Sequence, residues 1–537
     1  MMNKPKINRP SRPIDFLLAD ISQRDTLIAH LQQEIRCTVE PCQHATRIYY
    51  DSFDWRLYQA DLCLYKDQSR QFRRYVLQSR SAGKNIAMQE NTEATAVFAQ
   101  DLATGLLRDK IAPLLEMRAL LPLINIQQET LPIRVMNKAE KTVARIVLEH
   151  NAIRQSATSR QKIDDYRARV IPLRGFWKAA SKLRHTLEQY PHTIASNEGL
   201  YDLAIRSLCL TPGEYSSKID IPLNAQDRAD HAMQLILNNL YHTMLANEQG
   251  IAANIDSEFL HDFRVAVRRT RSALTQIKQV LPQTEVDKFK AVFSWLGSVT
   301  NLPRDLDVHL LNFDTYASSL PDDMRGDLEP LRDYLHKQRT LEYKNLKKTL
   351  RSARYRRFKQ DWEQFLDTGL CIDNPAESAE IPIVLIAKQY TWRAYRRALK
   401  QGNALNPDSP AMQYHELRKT CKKLRYLMEF FASLFPKKEI KPLIRTLKSL
   451  QGNLGDFQDL EVHAQSMRVF AEQMLQQEHA SSRTLMAMGA LAENLEHHKM
   501  AIHQEFSDVY QAFQGKKNRD LFESLFKPQE KLPESVL

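Results

Sequence analysis

The period of the hydrophobic pattern changes near residue 210. Before it, short runs rich in β-branched and aromatic residues show partial alternation: TRIYYDS (46–52), LCLY (62–65), RRYVLQS (73–79), IRVMN (133–137) and KTVARIVLEH (141–150). That pattern predicts strands. ATAVFAQDLATGLLRDKIAPLLEMRAL (94–120) and FWKAASKLRHTLEQY (176–190) read as helices. The first 210 residues are therefore expected to form an α+β domain. TPGEYSSKIDIPLNA (211–225) carries the Pro, Gly and Ser punctuation of a linker, placed at 211–227. From Arg228 onward the spacing is helical almost throughout, including the long charged stretch 331–366. LDTGLCIDNPAESAEIP (366–382) breaks it, and the polar segment 515–537, with two prolines, reads as a loose tail.

A single pattern occurs twice within the helical region. Residues 261–274 read HDFRVAVRRTRSAL and residues 415–428 read HELRKTCKKLRYLM, an offset of 415 minus 261, or 154. The same offset takes Leu296 to Leu450, Asp305 to Asp459, Asp307 to Glu461 and His309 to His463. A single gap-free offset over several positions indicates an internal duplication. Its copies span about 228–366 and 383–510.

On a helix advancing about 100° per residue, Phe263, Val267, Thr270, Leu274, Ile277 and Leu281 share one face. Leu417, Cys421, Leu424, Met428 and Phe431 share the matching face of the second copy. These are the expected core stripes. His261, Arg264, Arg268 and Arg271 fall on a second sector, roughly 120° away. His415, Arg418, Lys422 and Arg425 do the same, whereas Arg269 and Lys423 are expected to point to solvent. Like charges at i,i+4 repel by a few tenths of a kcal/mol per pair. A sector that concentrates them in both copies points to a bound polyanion. Arginine offers phosphate a planar two-donor fork, lysine a point charge and histidine a donor. Lys344, Lys348 and Arg351, and likewise Arg393, Arg397 and Lys400, share helical faces and are secondary candidates. Asp305 and Asp459 are expected to cap a helix or hold an arginine, and His309 and His463 to cap or pack. Neither the Asp-x-Asp nor the Asp-x-Glu copy has histidine support for a metal.

Composition agrees with an anionic partner without naming it. The 537 residues carry a formal net charge of +12, and the pI is near 9.2. Six cysteines form no CxxC pair, which fits free thiols in a reducing compartment. The basic start MMNKPKINRPSRP lacks a following apolar run, so neither a signal peptide nor a spanning segment is expected. The chain is expected to be cytoplasmic.

The run HxxRVxxRRxRSxL at 261–274, HxxRKxxKKLRYLxEFF at 415–431 and RDLDV at 304–308 resemble the signatures of the CHAD family, the conserved-histidine α-helical domains. The resemblance covers about 228–510. It implies two pseudo-symmetric four-helix bundles with a basic groove or pore that binds inorganic polyphosphate, a binding module and not an enzyme, found in some members on polyphosphate granules. It implies no cofactor. YYDSFDWRLYQADLCLY (49–65), KTVARIVLEH (141–150) and RVIPLRGFWKA (169–179) resemble the CYTH domain of triphosphate tunnel enzymes, an antiparallel β tunnel or barrel, over roughly 10–210. That family opens on an ExExK strand that binds metal and phosphate. Aligned on Phe16, this chain has Ser11, Pro13 and Asp15 there, and Tyr65 and Asp67 stand where arginines usually follow. Arg134, Lys141 and Arg145 remain as candidate tunnel cations. The domain is read as degenerate and non-catalytic, with no metal.

Polyphosphate binding through the eight sector residues is thus the expected function. A metal-dependent triphosphatase of the tunnel type is the alternative. Nucleic-acid binding ranks third, because aromatic platforms for base stacking are not interleaved with the cations. No membrane partner is expected, and the sequence is silent on a protein partner for the N-terminal domain.

Overall fold

The computed structural model describes residues 14–90, 95–155, 159–368 and 376–529. Ser11, Pro13, some of the 366–382 break and the end of the tail lie outside the described residues. The chain divides into two compact units, 1–216 and 217–537.

Unit one is built on an antiparallel sheet. Its strands are β1 (Ile14–Leu18), β2 (Cys37–Val39), β3 (Gln43–Asp51), β4 (Leu62–Gln68), β5 (Arg73–Ser79), β6 (Asn85–Glu90), β7 (Leu121–Met136), β8 (Thr142–Arg154), β9 (Ile163–Pro172) and β10 (Thr193–Ser196). The order is β10-β1-β9-β8-β7-β3-β4-β5-β6, with β2 paired to β7. Helices α1 (Ser22–Glu34), α2 (Arg56–Gln59), α3 (Leu106–Leu115), α4 (Trp177–Gln189) and α5 (Leu200–Ser207) accompany it. Strand periodicity sorts the side chains. Phe16, Ile146, Leu148, Ala168 and Val170 pack outward against α1 and α4 through Leu27, Leu31, Leu183 and Leu187. Tyr50, Leu64, Tyr75 and Leu77 pack on α3 through Leu107 and Ile111. On the inner face, Tyr49, Cys63, Tyr65 and Val76 meet Leu200, Tyr201, Ala204 and Ile205 of α5.

One expectation needs correction here, and one a change of bounds. The single helical run expected at 94–120 is, over its described residues 95–120, one short 3-10 turn and α3, because Asp101 turns back to accept from the Val97 and Phe98 amides at 2.9 and 2.8 Å and the chain restarts after Gly105. The strand expected at 133–137 is present as the last four residues of β7, a sixteen-residue strand that stops at Met136.

Unit two is helical: α6 (Ala229–Ala253), α7 (Ser257–Gln276), α8 (Gln283–Val299), α9 (Asn301–Leu311), α10 (Phe313–Ser318), α11 (Asp322–Arg325), α12 (Glu329–Leu350), α13 (Ala353–Thr368), α14 (Ile383–Asn403), α15 (Ala411–Phe430), α16 (Lys437–Gln476), α17 (Ser482–Gln514) and α18 (Lys516–Phe526). The 154-residue offset carries Ser257–Gln276 onto Ala411–Phe430, so α7 and α15 are equivalent helices of equal length. In the first copy α6 packs on α7, α7 on α8, α9 on α12 and α12 on α6. In the second, α14 packs on α15, α15 on α16 and α16 on α17. With the 154-residue offset α8 and α9 together fall on the single helix α16, so each copy arranges four helical segments.

The helical stretch expected over 331–366 is formed by two helices, α12 and α13, because Ser352 Oγ caps the Tyr355 amide at 3.2 Å and starts α13. The expected loose tail is also corrected. It begins with α18, which packs on α14 and buries Phe522, Leu525 and Phe526. Phe522 stacks on Tyr395 with centroids 3.8 Å apart. Among the described residues no helix is long and apolar enough to cross a membrane.

Candidate anion-binding site

The motif helices α7 and α15 touch each other. Their apolar stripes are buried as the periodicity predicts: Phe263, Val267 and Leu274 on one, Leu417, Leu424 and Met428 on the other. Asp256 caps α7 by accepting from the amides of Glu258 and Phe259 at 2.9 and 3.2 Å.

The cationic sectors are positioned by the helices that follow each motif. Arg264 donates to Thr300 Oγ1 at 3.0 Å and to Asn301 Oδ1 at 2.8 Å, where α8 gives way to α9. Arg418 pairs with Asp459 at 2.9 Å, while its Nε is buried without a hydrogen-bond acceptor. Arg425 donates to Gln451 Oε1 at 2.8 Å and lies 3.2 Å from Glu429. A Cβ at Gly297 would sit 3.3 Å from a terminal nitrogen of Arg271, so that guanidinium lies against α8. His415 Nδ1 meets Gln458 Oε1 at 2.6 Å, and His261 is half-buried on the same sector of α7. The side chains of Arg268, Arg271 and Lys422 form no hydrogen bond or ion pair among the described residues. Sequence reasoning missed the anchors Thr300, Asn301 and Gln451, which have no charge or repeat to mark them.

The two sectors share one electrostatic field. Burial, then Arg418 and Arg268, push the half-buried Lys422 ammonium down to about 8. Arg268 belongs to the other copy. Burial, Arg268 and Arg304 likewise push Arg264 down to about 10, which leaves it charged at neutral pH. Such a site disfavours its own positive charge and is relieved by an anion.

Other expected residues fall elsewhere. Lys344 and Lys348 on α12, and Arg351 just past it, are exposed and make no ion pair among the described residues. Arg393, Arg397 and Lys400 are exposed on α14. Arg269 does not face solvent: it is buried, bonds the Ser217 carbonyl at 2.7 Å and pairs with Glu429 at 2.8 Å. Its acid partner comes from the other copy, which a single-helix projection cannot show. His309 and His463 pack with Tyr316, whose hydroxyl meets their Nδ1 atoms at 3.2 and 3.0 Å.

Unit one holds its charges differently. Its sheet lines a cavity of about 690 Å³ with Asp15, Arg47, Tyr65, Arg74 and Arg169 among its walls. Arg47 pairs with Asp67 at 2.7 Å, and Arg74 lies 3.6 Å from it. Arg167 pairs with Asp15 and Asp165 at 3.1 and 2.8 Å, and Arg169 with Asp15 and Glu149 at 2.9 and 3.2 Å. These carboxylates hold the Arg169 guanidinium above its ordinary range despite burial. Four arginines and four acids thus neutralise one another. A divalent cation does not fit: Asp15, Glu149 and Asp165 are each engaged by guanidinium, and a metal ion would face Arg167 and Arg169 directly. Arg134, Lys141 and Arg145, expected as tunnel cations, are instead half-buried or exposed away from this lining, and Arg134 pairs with Glu40 at 2.7 Å. The Cys42, His44 and Glu129 cluster on β3 and β7 is a poor metal site, since Arg24 holds Glu129 at 2.8 Å and burial raises the thiol pKa.

Residues 235–468 match the model of the CHAD domain. The helical unit carries a CHAD domain. Among solved structures, the chain is similar to a CHAD domain from the plant Ricinus communis, with 25% identity over 58% of this chain and 98% of that one and a TM-score of 0.46. PptA from Streptomyces chartreusis shares 15% identity over 53% of this chain and 100% of its own, with a TM-score of 0.42. An adenylyl cyclase candidate from Hippeastrum with a dominant triphosphatase activity shares 12% over 38% and 99%, with a TM-score of 0.27. No curated protein matches the sequence.

Proposed function

We propose that the CHAD domain binds inorganic polyphosphate through the merged sectors of α7 and α15: His261, Arg264, Arg268 and Arg271 with His415, Arg418, Lys422 and Arg425. The observation that carries this reading is the half-buried Lys422, which has no hydrogen bond or ion pair among the described residues and whose charge is opposed by burial, by Arg418 of its own copy and by Arg268 of the other. A linear polyanion answers that geometry, because one chain engages both copies at once and many modest contacts add in register. The domain's place in the CHAD family supports the choice of polyphosphate among polyanions, and association with polyphosphate granules follows from the same proposal. Nucleic acid is disfavoured, since Tyr426, the aromatic nearest the sector, is buried and unavailable for stacking.

The sheet unit is proposed to be non-catalytic. Phosphoryl transfer from a triphosphate needs metal ions and free cations around the phosphates. Here the inward arginines are spent on carboxylates.

Calorimetric titration of the full chain with long-chain polyphosphate at two salt concentrations, beside single-stranded DNA and tripolyphosphate with Mg²⁺, tests both statements. Tight, salt-sensitive binding of polyphosphate with no phosphate release is expected. Weak polyphosphate binding, or turnover of tripolyphosphate, overturns the assignment.

A further inference from the structure

The duplication has diverged at one set of positions outside the merged sectors. Five pairs keep the offset: 423 minus 269, 429 minus 275, 393 minus 239, 397 minus 243 and 432 minus 278 are all 154. One member of each pair gives Arg269, Glu429, Asn239, Thr243 and Ala432, a set with one cation and one acid. There the Arg269–Glu429 pair is closed at 2.8 Å, and the Ser217 carbonyl caps the guanidinium. The other members are Lys423, Thr275, Arg393, Arg397 and Lys278, with four cations and no acid.

These five side chains line one pocket of about 300 Å³ between the end of α7, α14 and α15. No aspartate or glutamate contributes to its lining. The side chains of Lys278, Arg397 and Lys423 form no hydrogen bond or ion pair among the described residues, although the Lys278 carbonyl accepts from the Tyr390 hydroxyl at 3.2 Å. Glu416, the acid whose charge is felt by Arg397, is already bound to Lys419 at 2.8 Å. The pocket is also continuous in sequence phase with the α7 sector. Arg268, Arg271 and Thr275 are spaced three and four residues apart and share one helical face. From Arg268 to Thr275 the helix rises only about 10 Å.

We propose that this pocket is a second anion site, present on one side of the duplicated domain only. It would take the next stretch of the polyphosphate chain as that chain leaves the merged sectors past Arg271. The site makes affinity depend on chain length: a short phosphate oligomer fills the sectors alone, whereas a long chain reaches both. This inference rests on polyphosphate binding at the sectors.

The test compares the full chain with two surface variants, Arg397→Gln with Lys423→Gln, and Thr275→Glu, each checked for unchanged helical circular dichroism. Thr275→Glu installs the acid that closes the equivalent place in the other half. Calorimetry is run with long-chain polyphosphate and with tripolyphosphate. Both variants should lose about tenfold in affinity for the long chain and nothing for tripolyphosphate. The salt slope for the long chain should fall by about 1 to 2 in the double variant. Unchanged long-chain affinity overturns the second site, and so does an equal loss for both ligands, which would reflect only the general field. Absence of long-chain binding by the unaltered protein would instead overturn the function proposed for the sectors, an outcome separate from either.

Discussion

Both units of this protein gather arginines together, yet they differ in what the arginines face. In the sheet unit, Arg47, Arg167 and Arg169 meet Asp67, Asp165, Asp15 and Glu149 at 2.7 to 3.2 Å. In the helical unit, Arg268, Arg271 and Lys422 meet no carboxylate among the described residues, and burial followed by Arg418 and Arg268 depresses the Lys422 pKa. The count of cations does not distinguish a binding surface from a structural network. Whether the charge is already neutralised within the fold does.

The strongest way to break this comparison is to reverse charge within the helical sectors, at Arg264, which bonds Thr300 and Asn301, and at Arg418, which pairs with Asp459. Arg264→Glu combined with Arg418→Glu should lower polyphosphate affinity by at least about a thousandfold, since each reversal removes a charge-assisted contact and adds a repulsive one. Helix content by circular dichroism should be retained. Retained binding would sink the sector assignment.

The complementary change belongs to the sheet unit. Asp15→Ala leaves the buried Arg167 without one of its two carboxylates and Arg169 without its bidentate partner. Removing one partner of a buried ion pair costs about 3 to 5 kcal/mol. The urea midpoint of the sheet unit should fall accordingly, while polyphosphate affinity of the full chain stays as it was. A loss of polyphosphate affinity instead would show that the cavity contributes to binding.

The two kinds of charge were not equally legible in the sequence. The sectors were visible because a 100° projection and a 154-residue offset both act along the chain, and Arg264, Arg268, Arg418 and Lys422 obey both. The fate of Arg269 was not, because Glu429 lies 160 residues away on the partner helix. Asp15 is the same case: strand pairing of β1 with β9 places it beside Arg167 and Arg169, 152 and 154 residues on. The strand runs 46–52 and 73–79 were readable from alternation. The first half of β7 was not, since Asn125, Gln127 and Gln128 interrupt its apolar residues. Likewise α18 looks polar in sequence, and only the packing of Phe522 and Phe526 against neighbouring helices reveals its buried side.

A smaller effect sharpens the contrast by giving stability and binding opposite signs. Lys422→Met removes a cation whose charged form is disfavoured by burial and by Arg418 and Arg268. The melting temperature of the helical unit should rise, while polyphosphate affinity falls about tenfold, as for the loss of one charge-assisted contact. The pH dependence has the matching sign. Burial, Arg418 and Arg268 push the Lys422 ammonium down to about 8 from its ordinary 10.5, and a bound phosphate is expected to raise it again. Binding above pH 8 therefore takes up a proton, and affinity declines as pH rises toward 10.5. Lys422→Arg, whose side chain stays protonated, should flatten that decline. A decline of equal slope in the arginine variant would show that another group titrates.

The smallest effect concerns a buried place where the two copies meet through neutral polar groups. His309 and His463 are repeat equivalents, their rings 4.8 Å apart, and the Tyr316 hydroxyl lies between their Nδ1 atoms. Burial, with His463 adding to it, pushes His309 down to about 3 from its ordinary 6.5. The unfolded chain therefore binds the proton more readily than the folded one. The contribution of this pair is complete above pH 6.5 and is lost as pH falls toward 3. Tyr316→Phe deletes the hydroxyl and leaves buried imidazole nitrogens without it, at a cost of about 1 to 2 kcal/mol. Thermal unfolding at pH 7 should register that loss, and polyphosphate affinity should not change. If affinity fell with stability unaltered, the histidine pair would belong to the binding surface, and the division between neutralised structure and unneutralised site would fail inside the CHAD domain itself.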